Sequence, residues 1–228
     1  AHDTRSGSVA SDIVKESKCE YLMSDVFSGY AKAVTDSNIY RKENHFSEVK
    51  NIYCNAHARR KFKEASMSFT NESKFFIWCY KKIYHLEKIK NFKNRRHWQR
   101  IYFKSMEKAG LKLKFSYSSK SSLVKAVSYF IKNFHELTLF LNFEDLPIDN
   151  NAQERLMRNP VIGRKTWYGT HSKRGAETNA VLFSIVESCK INKVNPRDYF
   201  RDIVHTIHEK RSIFTPNEYL NLKSEIIA

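Results

Sequence analysis

The chain has 228 residues, 41% of them hydrophobic and 14% aromatic, with 40 Lys and Arg against 24 Asp and Glu for a formal charge of +16. That is globular composition, enough for one sizeable core or two small ones. Its longest apolar stretches (129–131 and 138–141) are too short and too often interrupted to span a membrane. The positive surplus calls for a polyanion, of which nucleic acid is the commonest, or for lysines that merely solvate helix surfaces.

Cys19, Cys54, Cys79 and Cys189 have no repeated spacing. They read as reduced and mostly buried, which places the protein in the cytoplasm. The first residues, AHDTRSGSVASD, have neither a secretory layout nor an initiator Met, so the chain is expected to be a fragment.

In chain order, residues 8–17 read as a short helix, with Val9, Ile13 and Val14 at helical spacing. Residues 19–25 (CEYLMSD) read as a strand ending in Asp25, followed by a turn and a helix. Residues 52–54 read as a second strand and 56–67 as a helix. Strand, helix and strand of this size predict an α/β unit.

The middle differs in character. Phe75, Phe76, Cys79, Ile83, Leu86 and Ile89 fall on one helical stripe, and Leu123, Val127, Phe130, Ile131, Phe134 and Leu141 on another. Between them a very basic helix is predicted over 94–109. No Gly occurs between Gly29 and Gly110 and no Pro before Pro147, which favours long helices. The stripes are read as core packing. After a loop (FEDLPID) a helix is expected near Asp149 or Asn150, with Asp149 at its cap and Glu154 one turn in, facing inward. Residues 164–168 are expected to be extended. A helix over 177–190 should bury Val181, Leu182, Ile185, Val186 and Cys189. Two further helices open at Pro196, running to about Lys210, and at Pro216.

An Asp at the end of an apolar strand stands where α/β sheets present ligand-binding groups, although such an Asp is more often a helix cap. Glu154 alone would be a surface Glu near a helix N-terminus. Together, Asp25 and Glu154 suit a sparse magnesium or manganese site, since in-line cleavage or joining of DNA uses two hard cations held by a few carboxylates. Cys54 and His57 (C-N-A-H) leave three readings open. They could be zinc ligands, although no partner pair has suitable spacing; a buried Cys with a packing His; or a His beside the scissile phosphate.

Basic residues gather in three places: Arg59, Arg60 and Lys61; Arg95, Arg96 and Arg100, interleaved with His97, Trp98, Tyr102 and Phe103; and Arg155, Arg158, Arg164 and Lys165 around the Glu154 helix. Each is a solvated face or a DNA contact, since Arg binds phosphate bidentately. Arg155 or Arg158 is also placed to brace Glu154.

Asp25-Val-Phe-Ser-Gly-Tyr30, Cys54-Asn-Ala-His-Ala-Arg-Arg-Lys-Phe62, and Asp149-Asn-Asn-Ala-Gln-Glu-Arg155 through to Trp167 occur in the order seen in one family. They resemble the transposases of the bacterial insertion-sequence family sixty-six. Gly175-Ala-Glu177, Leu182-Phe-Ser-Ile185 and Asn195-Pro-Arg-Asp-Tyr199 are similar to its short C-terminal domain, so the likeness covers about residues 1–207. The resemblance implies a DDE-type, RNase H-like core whose three acids bind magnesium, with Asp25 as the second acid and Glu154 as the third. It implies a supporting C-x-x-H at Cys54 and His57, and a helical insertion before the Glu. It also implies a homo-oligomeric full-length form and accessory proteins from the same element.

Val26 replaces the family's usual Gly and Asn55 its usual aromatic. The first catalytic Asp is expected upstream of Ala1, since Asp3 and Asp12 do not fit its motif, and residues 1–5 resemble the end of a later strand.

The expected fold is therefore α/β: a partial RNase H-like core with a large all-helical insertion and a small helical C-terminal domain. Its parts are 1–67 for the first core segment, 68–147 for the insertion, 148–170 for the Glu helix and following loop, and 171–228 for the C-terminal domain. Three functions compete: a transposase part that cleaves and joins element ends, a catalytically inactive DNA-binding remnant of one, and an unrelated basic helical DNA-binding protein.

Overall fold

A computed structural model of the chain describes residues 7–166, 169–209 and 213–227. The chain divides into two compact units, one over residues 2–152 and one over 153–228. The fold is mostly helical, with one two-stranded parallel sheet.

The first unit opens with α1 (Gly7–Val14), β1 (Tyr21–Ser24), α2 (Ser28–Glu43) and β2 (Lys50–Tyr53). The strands pair in parallel, from Tyr21 opposite Lys50 to Ser24 opposite Tyr53. A parallel pair needs a crossover, which α2 supplies. Val14, Val34 and Val49 form a small core beside it. Arg41, 2% exposed, ties the crossover down. Its guanidinium donates to the carbonyls of Val14, Ser17, Cys19 and Ser47, so no acidic partner is needed to satisfy it.

Then follow α3 (Asn55–Ala65), α4 (Thr70–Leu86), α5 (Phe92–Ser116), α6 (Ser122–Lys132) and α7 (Phe134–Thr138), with a 3-10 turn over Leu139–Asn142. These helices share one core with the sheet: Ile52 and Phe62 pack in the same cluster as Phe76, Tyr80, Phe103, Phe130 and Phe140. Phe62 and Phe76 stack at 4.4 Å. A Cβ on Gly110 would lie 3.1 Å from Val127 Cγ1, which explains the small residue where α5 crosses α6. The first predicted stripe is only partly buried. Phe76, Cys79 and Ile83 are fully covered, whereas Phe75 and Ile89 are exposed. The basic helix is longer than its sequence window and runs to Ser116.

α8 (Asn151–Leu156) spans the boundary between the units. The second unit continues with α9 (Arg158–Thr166), α10 (Lys173–Ile191), α11 (Pro196–His208) and α12 (Pro216–Ile227). Residues 164–166 are helical rather than extended. The turn of Thr166 is closed by its hydroxyl on the Ile162 carbonyl, and Gly169, at φ +91°, returns its N–H to Arg164 O. Residues 167 and 168 of that expectation lie outside the described residues, as do residues 1–5 and Lys210.

Side-chain caps on α10 and α11 come from Ser172 and Asn195, and Thr215 and Glu218 form a reciprocal capping box for α12. The unit's core is small: Cys189, Val194, Tyr199, Ile203 and Tyr219. It covers only one end of α10, so Val181 and Leu182, expected inside, are exposed.

Candidate metal and nucleic-acid site

The register brings Asp25 and Cys54 off the sheet side by side. Cys54 N–H donates to Ser24 O at 2.9 Å, so both residues emerge at the C-terminal edge of the parallel pair, where such sheets bind ligands. Asp25 is half-buried, and its Oδ1 is sealed from water with no hydrogen-bond donor. A carboxylate oxygen left that way is costly unless something else binds it. Asp25 is not a cap for α2, whose N-cap residue is Phe27.

Cys54 is the N-cap residue of α3 and fully buried, so Asn55, Ala56 and His57 form the first turn of a helix rather than the end of a strand. Burial pushes the Cys54 thiol up, away from the thiolate that zinc binding or nucleophilic attack requires. His57 is half-buried on the same turn.

Two tyrosines that the sequence did not single out, and Asn55, noted there only as a departure from the family pattern, tie this corner together. Asn55, fully buried, donates to Leu137 O at 2.9 Å and Ile148 O at 3.3 Å, and accepts from the Tyr80 hydroxyl at 3.3 Å. One turn further along α4, Tyr84 donates to Asp149 Oδ2 at 2.8 Å. Asp149 also accepts from the Asn151 backbone at 3.1 Å and side chain at 2.7 Å. Asp149 is thus spent on the start of α8, as expected of a cap. The Arg59 guanidinium lies 5.4 Å from the Tyr84 ring centroid. From α6, Tyr129 reaches the end of β1, where burial first, and then the neighbouring Cys54 and Asp25, push its phenol up to about 12. The sequence signal for these groups was faint: Tyr80 and Tyr84 stand four apart on an otherwise apolar stripe, where a buried tyrosine needs a partner for its hydroxyl.

Glu154 stands in the first turn of α8 and is exposed, not inward-facing. It belongs to the second unit and Asp25 to the first. Arg155, Arg158, Arg164 and Lys165 are exposed with it. In the first unit Arg60 is exposed and Arg59 half-buried.

The middle basic group divides. Arg96 is 1% exposed and donates to Glu87, Gln99, Phe143 O and Leu146 O, which leaves no surface for a phosphate. Arg95, half-buried, has one arm on Ile89 O. Arg100 binds Leu141 O and Asn142 but stays exposed.

Among the described residues no three His, Cys, Asp or Glu side chains gather into a metal cluster. Asp25, with its orphaned oxygen, fits a divalent cation as one ligand of a set. Also among the described residues, no helix is long and apolar enough to cross a membrane.

Comparison with known proteins agrees with the family resemblance. The family model described as "Transposase IS66 family" matches residues 1–178, which takes in both strands, the helices up to α9 and the start of α10. Two uncharacterized proteins of Sinorhizobium fredii (strain NBRC 101917 / NGR234) are each 26% identical to it. One, y4hP, aligns over 68% of this chain and 32% of its own length; the other, y4jD, over 74% and 34%. The chain therefore spans about a third of the length of these relatives. No solved structure matches it. With the family model covering Asp25, the C-N-A-H turn and Glu154 in one continuous match, this chain belongs to the IS66 family of transposases.

Proposed function

We propose that this chain is part of a DNA transposase that cleaves insertion-sequence ends and joins them to target DNA, with Asp25 and Glu154 as its second and third acidic residues. The observation that carries the reading is the buried, donor-free Asp25 Oδ1 at the ligand-binding edge of a parallel sheet. The β1–β2 pair would be two strands of a larger, RNase H-like sheet. Asp25 and Glu154 would help hold two divalent cations, magnesium or manganese, which would supply activation of the attacking water or 3′-hydroxyl and stabilisation of the leaving oxygen.

The chain's own residues do the rest. The network of Asn55, Tyr80, Tyr84 and Asp149 fixes where α8 begins. Arg59, Arg60, Arg155, Arg158, Arg164 and Lys165 would neutralise DNA phosphates, while His57 would stand near the scissile group. A homo-oligomer and accessory proteins of the element belong to the same reading. The test is nicking of element-end DNA by a full-length protein with magnesium: Glu154→Gln and Asp25→Asn should each abolish it, and undiminished nicking by either variant would sink the assignment.

A second reading concerns the chain in isolation. With Asp25 and Glu154 as two of the three acids that the family's site uses, it would bind DNA without cleaving it. Salt-dependent binding with no nicking would support this, and robust nicking by the isolated chain would refute it.

A further inference from the structure

The hairpin of α4 and α5 carries a feature that the catalytic reading does not use. Phe75 and Trp78 lie on the outer side of α4, 38% and 46% exposed. Their rings are near-parallel, at 26°, with centroids 6.4 Å apart, and Tyr102 of α5 meets Trp78 edge-on at 5.5 Å. The result is a short aromatic ladder built across two helices and open to solvent. Lys74, Trp78 and Lys82 follow one another at four-residue intervals and are all exposed, so they form one line with a rise of about 6 Å per step. The Lys82 ammonium stands 5.7 Å from the Trp78 ring centroid.

The surroundings are strongly basic. Between residues 70 and 116 the sequence has thirteen Lys and Arg and three acidic residues. One of those three, Glu87, is already paired with the buried Arg96.

Large aromatic rings left in water mark a contact surface, and the charge around them selects the occupant. At this face a second copy of the chain would set lysines against lysines, so the hairpin itself is not where two copies would meet. The centres of protein interfaces are depleted in lysine, whereas this ladder is lined with it. Duplex DNA satisfies the lysines but keeps its bases stacked on one another, so it offers the rings nothing. Unpaired DNA satisfies both, with bases stacking on aromatic faces and phosphates meeting the cations.

We infer that the α4–α5 hairpin is a binding platform for single-stranded DNA, with bases stacking on Trp78 and Phe75 and phosphates held by Lys74 and Lys82. This deepens the proposed function by naming unpaired DNA as a ligand of the insertion. It stands on the ladder and its charge, not on the acidic site.

The test is fluorescence anisotropy of labelled oligothymidylate, and of a labelled duplex, titrated with the whole chain in the presence of a chelator. With divalent metal removed, this assay and the nicking assay fail independently. Trp78→Ala should weaken single-strand binding roughly tenfold or more and leave duplex binding nearly unchanged, while Trp78→Phe keeps most of the affinity. Lys74→Gln with Lys82→Gln should flatten the dependence of log affinity on log salt by about 0.7 per lysine.

The inference is overturned if Trp78→Ala binds single strands as tightly as the unaltered chain, or if it loses duplex binding equally. It is also overturned if Trp78→Phe is as weak as Trp78→Ala, or if Trp78→Ala changes only self-association in sedimentation. Should Trp78→Ala lose its fold by circular dichroism, the exposed lysine pair carries the test, and an unchanged salt slope overturns the inference.

Discussion

The Tyr84 hydroxyl donates to Asp149 Oδ2 at 2.8 Å, joining residues 65 positions apart. Tyr84 comes from α4 and Asp149 from the turn that starts α8, so α4 helps fix where α8 begins. Burial, followed by Asp149, raises the Tyr84 phenol well above its ordinary range, so the proton stays on the tyrosine and the bond keeps its direction. Tyr84→Phe removes that donor while keeping the ring. The expected cost is about 1.5–3 kcal/mol, the value of a hydrogen bond to a charged acceptor, read as a lower denaturant midpoint. An unchanged midpoint would mean that the Asn151 contacts alone hold Asp149.

Asn55 has the larger role of the pair of anchors. It is fully buried and serves two backbone carbonyls and the Tyr80 hydroxyl. Asn55→Leu would strand the Leu137 carbonyl and the Tyr80 hydroxyl in the core, whereas Ile148 O keeps the backbone N–H of residue 55. Each unsatisfied group costs about 1–3 kcal/mol, so the variant should be among the most destabilised at this corner. Asn55→Asp keeps the acceptor but loses the amide donors, and should also be less stable. Chemical denaturation ranks the two, and a neutral Asn55→Leu would contradict the network.

Arg96 and its neighbours separate structure from DNA contact. Arg96→Met leaves Glu87 without its guanidinium and two carbonyls without donors, for an expected loss of about 3–5 kcal/mol. Arg96→Lys should not rescue it, because an ammonium cannot reproduce the planar fork. Arg60→Gln and Arg158→Gln, at exposed positions, should change stability by less than about 0.5 kcal/mol while lowering the salt dependence of DNA binding. Denaturation and binding measured on the same variants give the comparison.

Local patterns made much of this readable. Tyr21 to Ser24 and Ile52 to Tyr53 are short apolar runs ending in chemistry-bearing residues, and Asp149 ahead of a helical stretch is a cap signal; all three lie where those patterns indicate. What escaped depends on distant partners. Arg96 and Arg100 are alike in sequence, yet Arg96 is buried because carbonyls 47 and 50 residues away converge on it. The apolar residues of α10 have helical spacing, but periodicity says nothing of how far a core extends, and this one stops near Cys189. Glu154 was expected to face inward one turn into its helix, and one turn of a short helix fixes no such direction. The aromatic ladder was similarly hidden, because Phe75 belongs to an apolar stripe by spacing and lies outside the core by rotation.

Alkaline pH should weaken the first unit. Burial pushes the Cys79 thiol and the Tyr129 phenol each up to about 12 and raises Tyr80 as well. The folded state therefore holds these protons more tightly than the unfolded chain, whose groups titrate near 9 for Cys and 10 for Tyr. The corresponding stability is complete below those ordinary values and is lost as pH rises through about 12. Thermal or guanidinium unfolding followed from neutral to alkaline pH should show a steady fall above about pH 9. Tyr129→Phe should make the fall shallower, and an identical slope would show that Tyr129 contributes nothing to it.

Asp25 gives the most direct test of a functional carboxylate. Its Oδ1 is buried without a donor, an arrangement that costs stability and that a structural residue has no reason to keep. Asp25→Asn removes the charge at nearly constant shape. Without divalent metal the variant should be as stable as the unaltered chain or more so, by about 1 kcal/mol. Added magnesium or manganese should raise the melting temperature of the unaltered chain, since a ligand that binds only the folded state stabilises it by mass action. The same titration should leave Asp25→Asn unmoved. If both proteins respond equally, the cation binds elsewhere; if Asp25→Asn is destabilised in chelator, the carboxylate is a structural group and the orphaned oxygen has a partner in solution.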